Sequence, residues 1–468
     1  MIDELREECG VCGIWNHPHA GLMSYYGLIA LQHRGQESAG IAVTGGERSA
    51  FDVHRGMGLV TDVFDDEILG RLEGTAALGH VRYSTTGRNS LRNAQPLVVR
   101  LKSTSLALAH NGNLVNAPHL RRQLEEQGSI FQTTSDTEVV AHLAARSGES
   151  SIEASLVDAL GKIRGGFAVV ALTPDGLFAA RDPHGIRPLV IGAYQDGWVV
   201  ASETCALDTA GANFVREVEP GEFIRIDGDG VTSRFTRGKA TPAPCIFEYI
   251  YFARPDSNIA GINVHQARKE MGRLLARDSG VDADVVAGVP DSSISAASGF
   301  AEEADIPYEM GLVRNRYIGR TFIKPENELR KLGVKLKLNP LKKVLRGRKV
   351  VLVDDSIVRG TTSRILVSLL RDAGAAEIHL RISSPPYRYP CYYGIDTSSR
   401  GELIAAGRTV EEIRQEIGAD SLAYLSEQRT AEAAGGEVDH FCTACFSGDY
   451  PVPVDAGCGK ESMEYGYR

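Results

Sequence analysis

Val350, Val351, Leu352 and Val353 follow one another without a polar residue, and two carboxylates, Asp354 and Asp355, come directly after them. Three of the four apolar residues are β-branched, which suits a strand covered on both faces, as the central strands of a parallel sheet are. Ligands of such sheets sit beyond the carboxyl ends of the strands, where the two carboxylates fall. Ser356, Ile357, Val358, Arg359, Gly360, Thr361 and Thr362 come next as a small, hydroxyl-rich turn, and residues 363–370 have helical apolar spacing. Glycine lets backbone approach a ligand closely, and the unpaired N–H groups of a helix start attract phosphate. The stretch predicts carboxylates facing hydroxyls or a metal, and amides facing a phosphate. Without its neighbours, the same pattern also describes a plain strand-to-helix turn with a threonine cap.

A chain of 468 residues exceeds one typical core, so two domains are expected. Its 51 basic and 60 acidic residues give a net charge of −9 with no long single-sign run, which leaves nucleic-acid binding without support. No stretch reaches the roughly 18 consecutive apolar residues of a membrane helix. Residues 1–8 are acidic, unlike the basic start of a secretion signal. A soluble, cytoplasmic protein with no membrane partner is expected. The eight cysteines are too unevenly spaced for a disulfide scaffold and point to chemistry or metal.

Residues 1–8 have no capping or strand pattern and abut Cys9, Gly10, Val11, Cys12, Gly13 and Ile14. A Cys-x-x-Cys pair is compatible with redox or zinc chemistry. A cysteine followed by glycine and an apolar strand also resembles the amino-terminal nucleophile of class II glutamine amidotransferases. That resemblance implies that residues 1–8 are a propeptide and that cleavage exposes Cys9. Its freed α-amine, titrating near 7.7 to 8.0, would then be the base that activates the thiol. Further runs resemble the same family in the same order. They imply Arg34 beside the thiol as a glutamine contact, and Arg82 as a planar grip on the glutamine α-carboxylate. Asn111 and Gly112 are implied as the oxyanion hole, and Asp136 as the partner of the glutamine ammonium. Residues 181–189 and 199–204 read as scaffold, and Cys205 as a buried apolar residue.

The fourteen residues 350–363 resemble the phosphoribosyl pyrophosphate (PRPP) motif of type I phosphoribosyltransferases. There, Asp354 and Asp355 would serve the ribose hydroxyls and Mg-pyrophosphate, and residues 356–362 would hold the 5-phosphate. A second apolar strand near 283–289 ends in a Gly- and Ser-rich turn, with a helix from about residue 294. By the resemblance this is the pyrophosphate loop, with Ser292 beside the Mg ion, one per subunit. Arg314, Arg316, Arg320 and Lys324 surround Tyr317 and Phe322 in residues 314–325, which the resemblance identifies as a loop that closes over PRPP.

Cys245, Cys391, Cys442 and Cys445 could form a four-thiolate site, for which physics leaves zinc and iron–sulfur both open. Their contexts resemble the amidophosphoribosyltransferases that carry a 4Fe–4S cluster, implying one structural cluster per subunit. Cys458, in a polar tail, is left outside the set.

From Cys9 to about Pro451 the chain thus resembles the amidophosphoribosyltransferase family. The resemblance implies a propeptide (1–8), a glutaminase domain (9–230), a linker (231–244) and a phosphoribosyltransferase domain with a cluster-binding tail (245–468). The first domain should be an α+β N-terminal-nucleophile (Ntn) four-layer αββα sandwich, and the second an α/β parallel sheet flanked by helices. The family's reaction turns PRPP, glutamine and water into 5-phosphoribosylamine, glutamate and pyrophosphate in the first step of purine synthesis, with ammonia channelled between the sites. A homotetramer inhibited by purine nucleotides is also implied. The alternative is a PRPP-binding regulator with an inactive glutaminase, against which Cys9, Arg82, Asn111 and Asp136 all count. An aminosugar synthase would share the first half but not residues 354–362.

Overall fold

The structure is a computed structural model that describes residues 9–45, 48–83, 89–102, 104–236, 240–315, 336–397 and 399–454. In the first half two antiparallel sheets stack face to face. One has seven strands, in the order Asn213–Glu217, Val190–Tyr194, Gly197–Ala201, Gly10–Trp15, Ala76–Arg82, Ser38–Gly45 and Arg48–Met57. The other has six, in the order Gly230–Phe235, Glu222–Asp227, Gly176–Arg181, Gly165–Thr173, Ser105–Leu114 and Leu97–Arg100.

Alternation along each strand sorts the side chains into layers. Val11, Ala42, Ala76 and Leu78 from the first sheet meet Ala107, Ala109, Ala168, Val170 and Ala179 from the second. The many alanines let the sheets approach closely. Cys12 and Ile14 point the other way, into a layer with Leu28, Leu31 and Cys205. The outer face of the second sheet is covered by residues of the helices Ala117–Glu126, Thr137–Arg146 and Ile152–Lys162. The result is the expected four-layer sandwich.

In the second half a parallel sheet runs Val285–Gly288, Lys349–Asp354, Glu377–Ile382, Ser421–Tyr424. Val351 and Val353 face a cluster containing Met271, Leu275 and Phe300, while Val350 and Leu352 face Leu366, Leu370 and Ile417. Burial on both faces is why this strand reads as an unbroken apolar run. A short antiparallel pair, Leu312–Arg314 with Leu338–Pro340, brackets the residues expected to close over PRPP. Among the described residues no helix is long and apolar enough to cross a membrane.

The linker expected over 231–244 needs correction at its start. Gly230–Phe235 pairs with Glu222–Asp227 as the edge strand of the six-stranded sheet. Thr232, Ser233 and Arg234 are exposed there, and an edge strand with a solvated face has a linker's composition.

Candidate active site

Cys9 directly precedes the strand Gly10–Trp15, and Gly10 pairs with Val81 on the antiparallel neighbour. That register puts Cys9 and Arg82 at the same end of the gap between the sheets. Val11 points into the gap, as do Ala76 and Leu78 of the neighbouring strand. Two-residue alternation therefore sends Cys9, His80 and Arg82 to this same side. The Cys9 thiol donates to the Tyr83 carbonyl at 3.4 Å. Burial pushes the thiol up to about 11; the Arg82 charge opposes this, and Asp136 and Glu37 add to it.

Asn111 reaches the same gap from the other sheet, in phase with Ala107 and Ala109. Its side chain is fully buried, and among the described residues neither its amide nitrogen nor its oxygen has a hydrogen-bond partner. Gly112 follows at φ +128°, and a Cβ there would lie 2.0 Å from the Gly166 carbonyl oxygen, so only glycine fits. Asp136 precedes the helix Thr137–Arg146; it accepts from the Leu114 amide at 3.0 Å and lies 3.4 Å from His110 Nδ1. Burial alone would raise this carboxyl, but His110, the Leu114 amide and Arg82 together hold it below the usual range.

Arg34 is not placed as a glutamine contact requires. Its Nε donates to the Cys9 carbonyl at 3.2 Å, but its Nη atoms pair with Glu203 at 2.5 Å and Glu248 at 2.7 Å, all without exposure to solvent. Glu203 also accepts from the Arg254 amide and the Ser257 hydroxyl. Arg34 therefore braces the nucleophile's backbone against residues of the second half. Cys12, packed so closely on Gly27 that a Cβ there would lie 2.5 Å from its sulfur, faces away from Cys9. Both are free thiols.

At the carboxyl end of the strand Lys349–Asp354, the acidic pair meets the turn before the helix Ile294–Ala304. Ser292 donates to Asp355, Ser293 donates to Asp354 at 3.1 Å, and Ser356 donates to Asp355 at 2.8 Å. Burial raises the Asp355 carboxyl despite these hydroxyls and the nearby Arg268. Clustered carboxylate and hydroxyl oxygens are the donor set that a hard ion such as Mg2+ takes. Ile357 and Val358 are buried beneath the following turn. Gly360 at φ +77° then starts the helix Thr361–Asp372, packed on Ile404 so tightly that a Cβ would lie 2.4 Å from its Cδ1. Arg359 pairs with Glu402 at 2.5 Å.

Cys245 and Cys442 are bridge partners where the two halves meet, and Cys245 donates its amide to Ile186 of the first half at 3.2 Å. Cys391 and Cys445 converge on them. Burial and the neighbouring thiols raise Cys442 to about 12 and hold Cys245 and Cys445 higher still. Buried thiols that repel one another as anions fit a shared cationic centre.

Two family models match the chain: a glutamine amidotransferase domain over residues 80–209 and a phosphoribosyl transferase domain over 265–383. The amidophosphoribosyltransferase of Bacillus subtilis (strain 168) is 54% identical over 458 residues, 97% of this chain and 96% of its own length. The chain belongs to the amidophosphoribosyltransferase family. The amidophosphoribosyltransferase of Staphylococcus aureus (strain MRSA252) is 51% identical, covering 96% of this chain and 92% of its own. Among solved structures, the glutamine PRPP amidotransferase of B. subtilis complexed with ADP and GMP superposes with a TM-score of 0.92 at 52% identity. The match covers 97% of this chain and all of that one.

Membership in the amidophosphoribosyltransferase family sets the activity, a step of purine biosynthesis that uses glutamine and PRPP. Several residues of the site escape sequence reasoning. Glu203 and Glu248, read as scaffold or not singled out, join the two halves, and Ser293 and His110 hold the carboxylates at either site. A carboxylate alone in an apolar run, as Glu248 is among Ile246, Phe247, Tyr249 and Ile250, is the one usable signal. Residues 1–8, the loop residues 316–325 and Cys458 lie outside the described residues.

Proposed function

We propose that this amidophosphoribosyltransferase cuts glutamine at Cys9 and passes the ammonia, shielded from water, to PRPP held by residues 354–362. The observation that carries the glutamine half is the buried side chain of Asn111, without a partner among the described residues, in the inter-sheet gap that Cys9 also faces. A native fold rarely leaves an amide so, and a developing oxyanion is the partner it lacks. Arg82 grips the α-carboxylate and Asp136 the ammonium. A thiol pushed up to about 11 needs a base at neutral pH. Removal of residues 1–8 as a propeptide supplies one, the Cys9 α-amine. The sulfur bonds to the side-chain amide carbon, the C–N bond breaks as the nitrogen is protonated, and water then releases glutamate from the thioester.

Asp354, Asp355 and Ser292 would hold Mg2+, which when bound neutralises pyrophosphate as it departs. The amides and hydroxyls of Ser356, Ile357, Val358, Arg359, Gly360, Thr361 and Thr362 take the 5-phosphate at a helix start. Cys245, Cys391, Cys442 and Cys445 would carry a 4Fe–4S cluster that ties the tail to the first half. Thiols around one zinc lie about 3.8 Å apart, from a Zn–S bond of about 2.3 Å. Among the described residues no three of these sulfurs come within 4.8 Å of one another, which favours a larger centre. The remaining boundaries are a glutaminase domain to about residue 230 and a phosphoribosyltransferase domain from 245. A cytoplasmic homotetramer inhibited by purine nucleotides completes the reading; the relative solved with ADP and GMP supports the last point.

The test is glutamate and pyrophosphate release by anaerobically purified protein, with and without PRPP and Mg2+, beside its intact mass. PRPP-stimulated release in equal amounts, from a chain that starts at Cys9, is expected. Full activity from a chain that keeps residues 1–8 would sink the α-amine mechanism. Neither product from processed, iron-loaded protein would sink the transferase.

A further inference from the structure

His110 belongs to the same strand as Asn111 but faces the opposite side, towards the start of the helix Thr137–Arg146. Both of its backbone groups are fixed by side chains. Its amide donates to Gln95 Oε1 at 2.8 Å, and its carbonyl pairs with His80 Nε2 at 3.0 Å. Gln95 lies just beyond the end of the partner strand Leu97–Arg100 and supplies the contact that the strand no longer makes. The imidazole is buried, and its Nδ1 lies 3.4 Å from Asp136 Oδ1.

A carboxylate can only accept, so the Nδ1 that faces Asp136 carries a proton. Nε2 is buried and has no partner among the described residues. An unpaired buried ring nitrogen is a cost that an apolar residue of similar size would avoid. A histidine here is therefore explained by what Nδ1–H does.

We infer that His110 is a positioning residue for glutamine: its Nδ1–H aims Asp136 at the substrate ammonium, while Asn111 on the other face of the strand serves the oxyanion. The charged groups around this contact fit the role. Arg82 sits on the Asp136 side, and His80 is pushed down to about 3, chiefly by burial, so it contributes no competing charge. The inference rests on the reading of Asp136 as the ammonium's partner, and the test separates the two.

Glutamine is compared with glutaramate, the same molecule without its α-amino group, in wild type, His110→Leu, His110→Phe, His110→Asn and Asp136→Asn. Asp136→Asn should collapse the preference for glutamine over glutaramate. His110→Leu and His110→Phe should raise KM for glutamine about tenfold, the worth of one hydrogen bond to a charge, with a smaller change in kcat. Their preference for glutamine should shrink by the same factor. His110→Asn, which restores a donor, should recover most of it. Circular dichroism and thermal unfolding certify folding of each variant, and synthesis from an ammonium salt, which needs no glutamine, reports on the PRPP half separately. Two apolar variants are made so that failure of one to fold leaves the other. An unchanged preference in the folded apolar variants, with Asp136→Asn collapsed, overturns the role of His110 alone. An unchanged preference in Asp136→Asn overturns the reading of Asp136 and the inference with it.

Discussion

Asp136 and Asp355 are both buried carboxylates at the proposed substrate sites, one in each half, and their protonation is pushed in opposite directions. At Asp136 burial is outweighed by His110, the Leu114 amide and the Arg82 charge. At Asp355 the hydroxyls of Ser292, Ser293 and Ser356 and the Arg268 charge do not outweigh it. The glutamine site is thus an anion already formed, ready for an ammonium that arrives with its own charge. At the proposed PRPP site burial prevails, and the Mg2+ assigned there is brought with the ligand. One half is preorganised, and the other is assembled by its substrate.

Replacing each site's central groups should break the comparison most sharply. Cys9→Ala is expected to lower glutamine-dependent synthesis by about a thousandfold or more while leaving ammonium-dependent synthesis intact. Asp354→Asn combined with Asp355→Asn should lower both alike. Pyrophosphate release with each nitrogen source measures this, and equal losses in the Cys9 variant would show that the halves do not divide the chemistry. A step smaller, Asn111→Ala should cost about 10² to 10³ in kcat for glutamine with KM little changed. A rise in KM alone would recast Asn111 as a ground-state contact.

The two aspartates themselves should differ in sign when tested for stability. A carboxyl depressed by folding adds stability above the unfolded value of about 3.9, lost as pH falls through the folded value. A carboxyl raised by folding does the reverse: it costs stability above its folded value, and the cost is relieved as pH falls towards about 3.9. Asp136→Asn should therefore destabilise at pH 7.5 by about 1 to 3 kcal/mol, and Asp355→Asn should stabilise without Mg2+. Near pH 4 the Asp355 advantage should vanish. With saturating Mg2+ and PRPP it should invert, because only the wild-type carboxylate then gains the bound ion as a partner. Thermal unfolding at the two pH values, with and without ligands, checks all three, and a destabilised Asp355→Asn at pH 7.5 without Mg2+ would refute the contrast.

What the sequence discloses and what it hides divide along the same physical line. The strand 349–354 is legible because burial on two faces leaves a local mark, four apolar residues in a row. The runs around Cys9, Asn111, Asp136 and the acidic pair are recognisable as family motifs because neighbours in the chain fix their context. Glu203 and Glu248 are hidden because their meaning is Arg34, a partner 169 and 214 residues away. The same long-range pairing removed Arg34 from the glutamine contacts. Cys12 looked like half of a redox pair until strand alternation turned it towards Gly27. Chemistry set by adjacent residues survives in one dimension, whereas chemistry set by pairing across the fold does not.

The smallest effect should come from Glu402, and it sharpens the comparison from the side of the cations. Arg34 is locked between two buried carboxylates, where removing one partner of a network costs about 3 to 5 kcal/mol. Arg359 instead meets Glu402 across a partly exposed pair, with the carboxylate side chain 41% open to solvent. Exposed pairs are worth about 0 to 1 kcal/mol, so a phosphate can take Arg359 from Glu402 at little cost. A cation whose pairing with Glu402 is partly open to solvent suits the half proposed to take a phosphate. Glu402→Gln should leave the melting temperature unchanged and move KM for PRPP by less than about threefold, downwards, with the difference fading as salt is raised. A tenfold or larger rise in KM would mean that Glu402 holds the phosphate turn in shape, placing rigid preorganisation in the PRPP half as well.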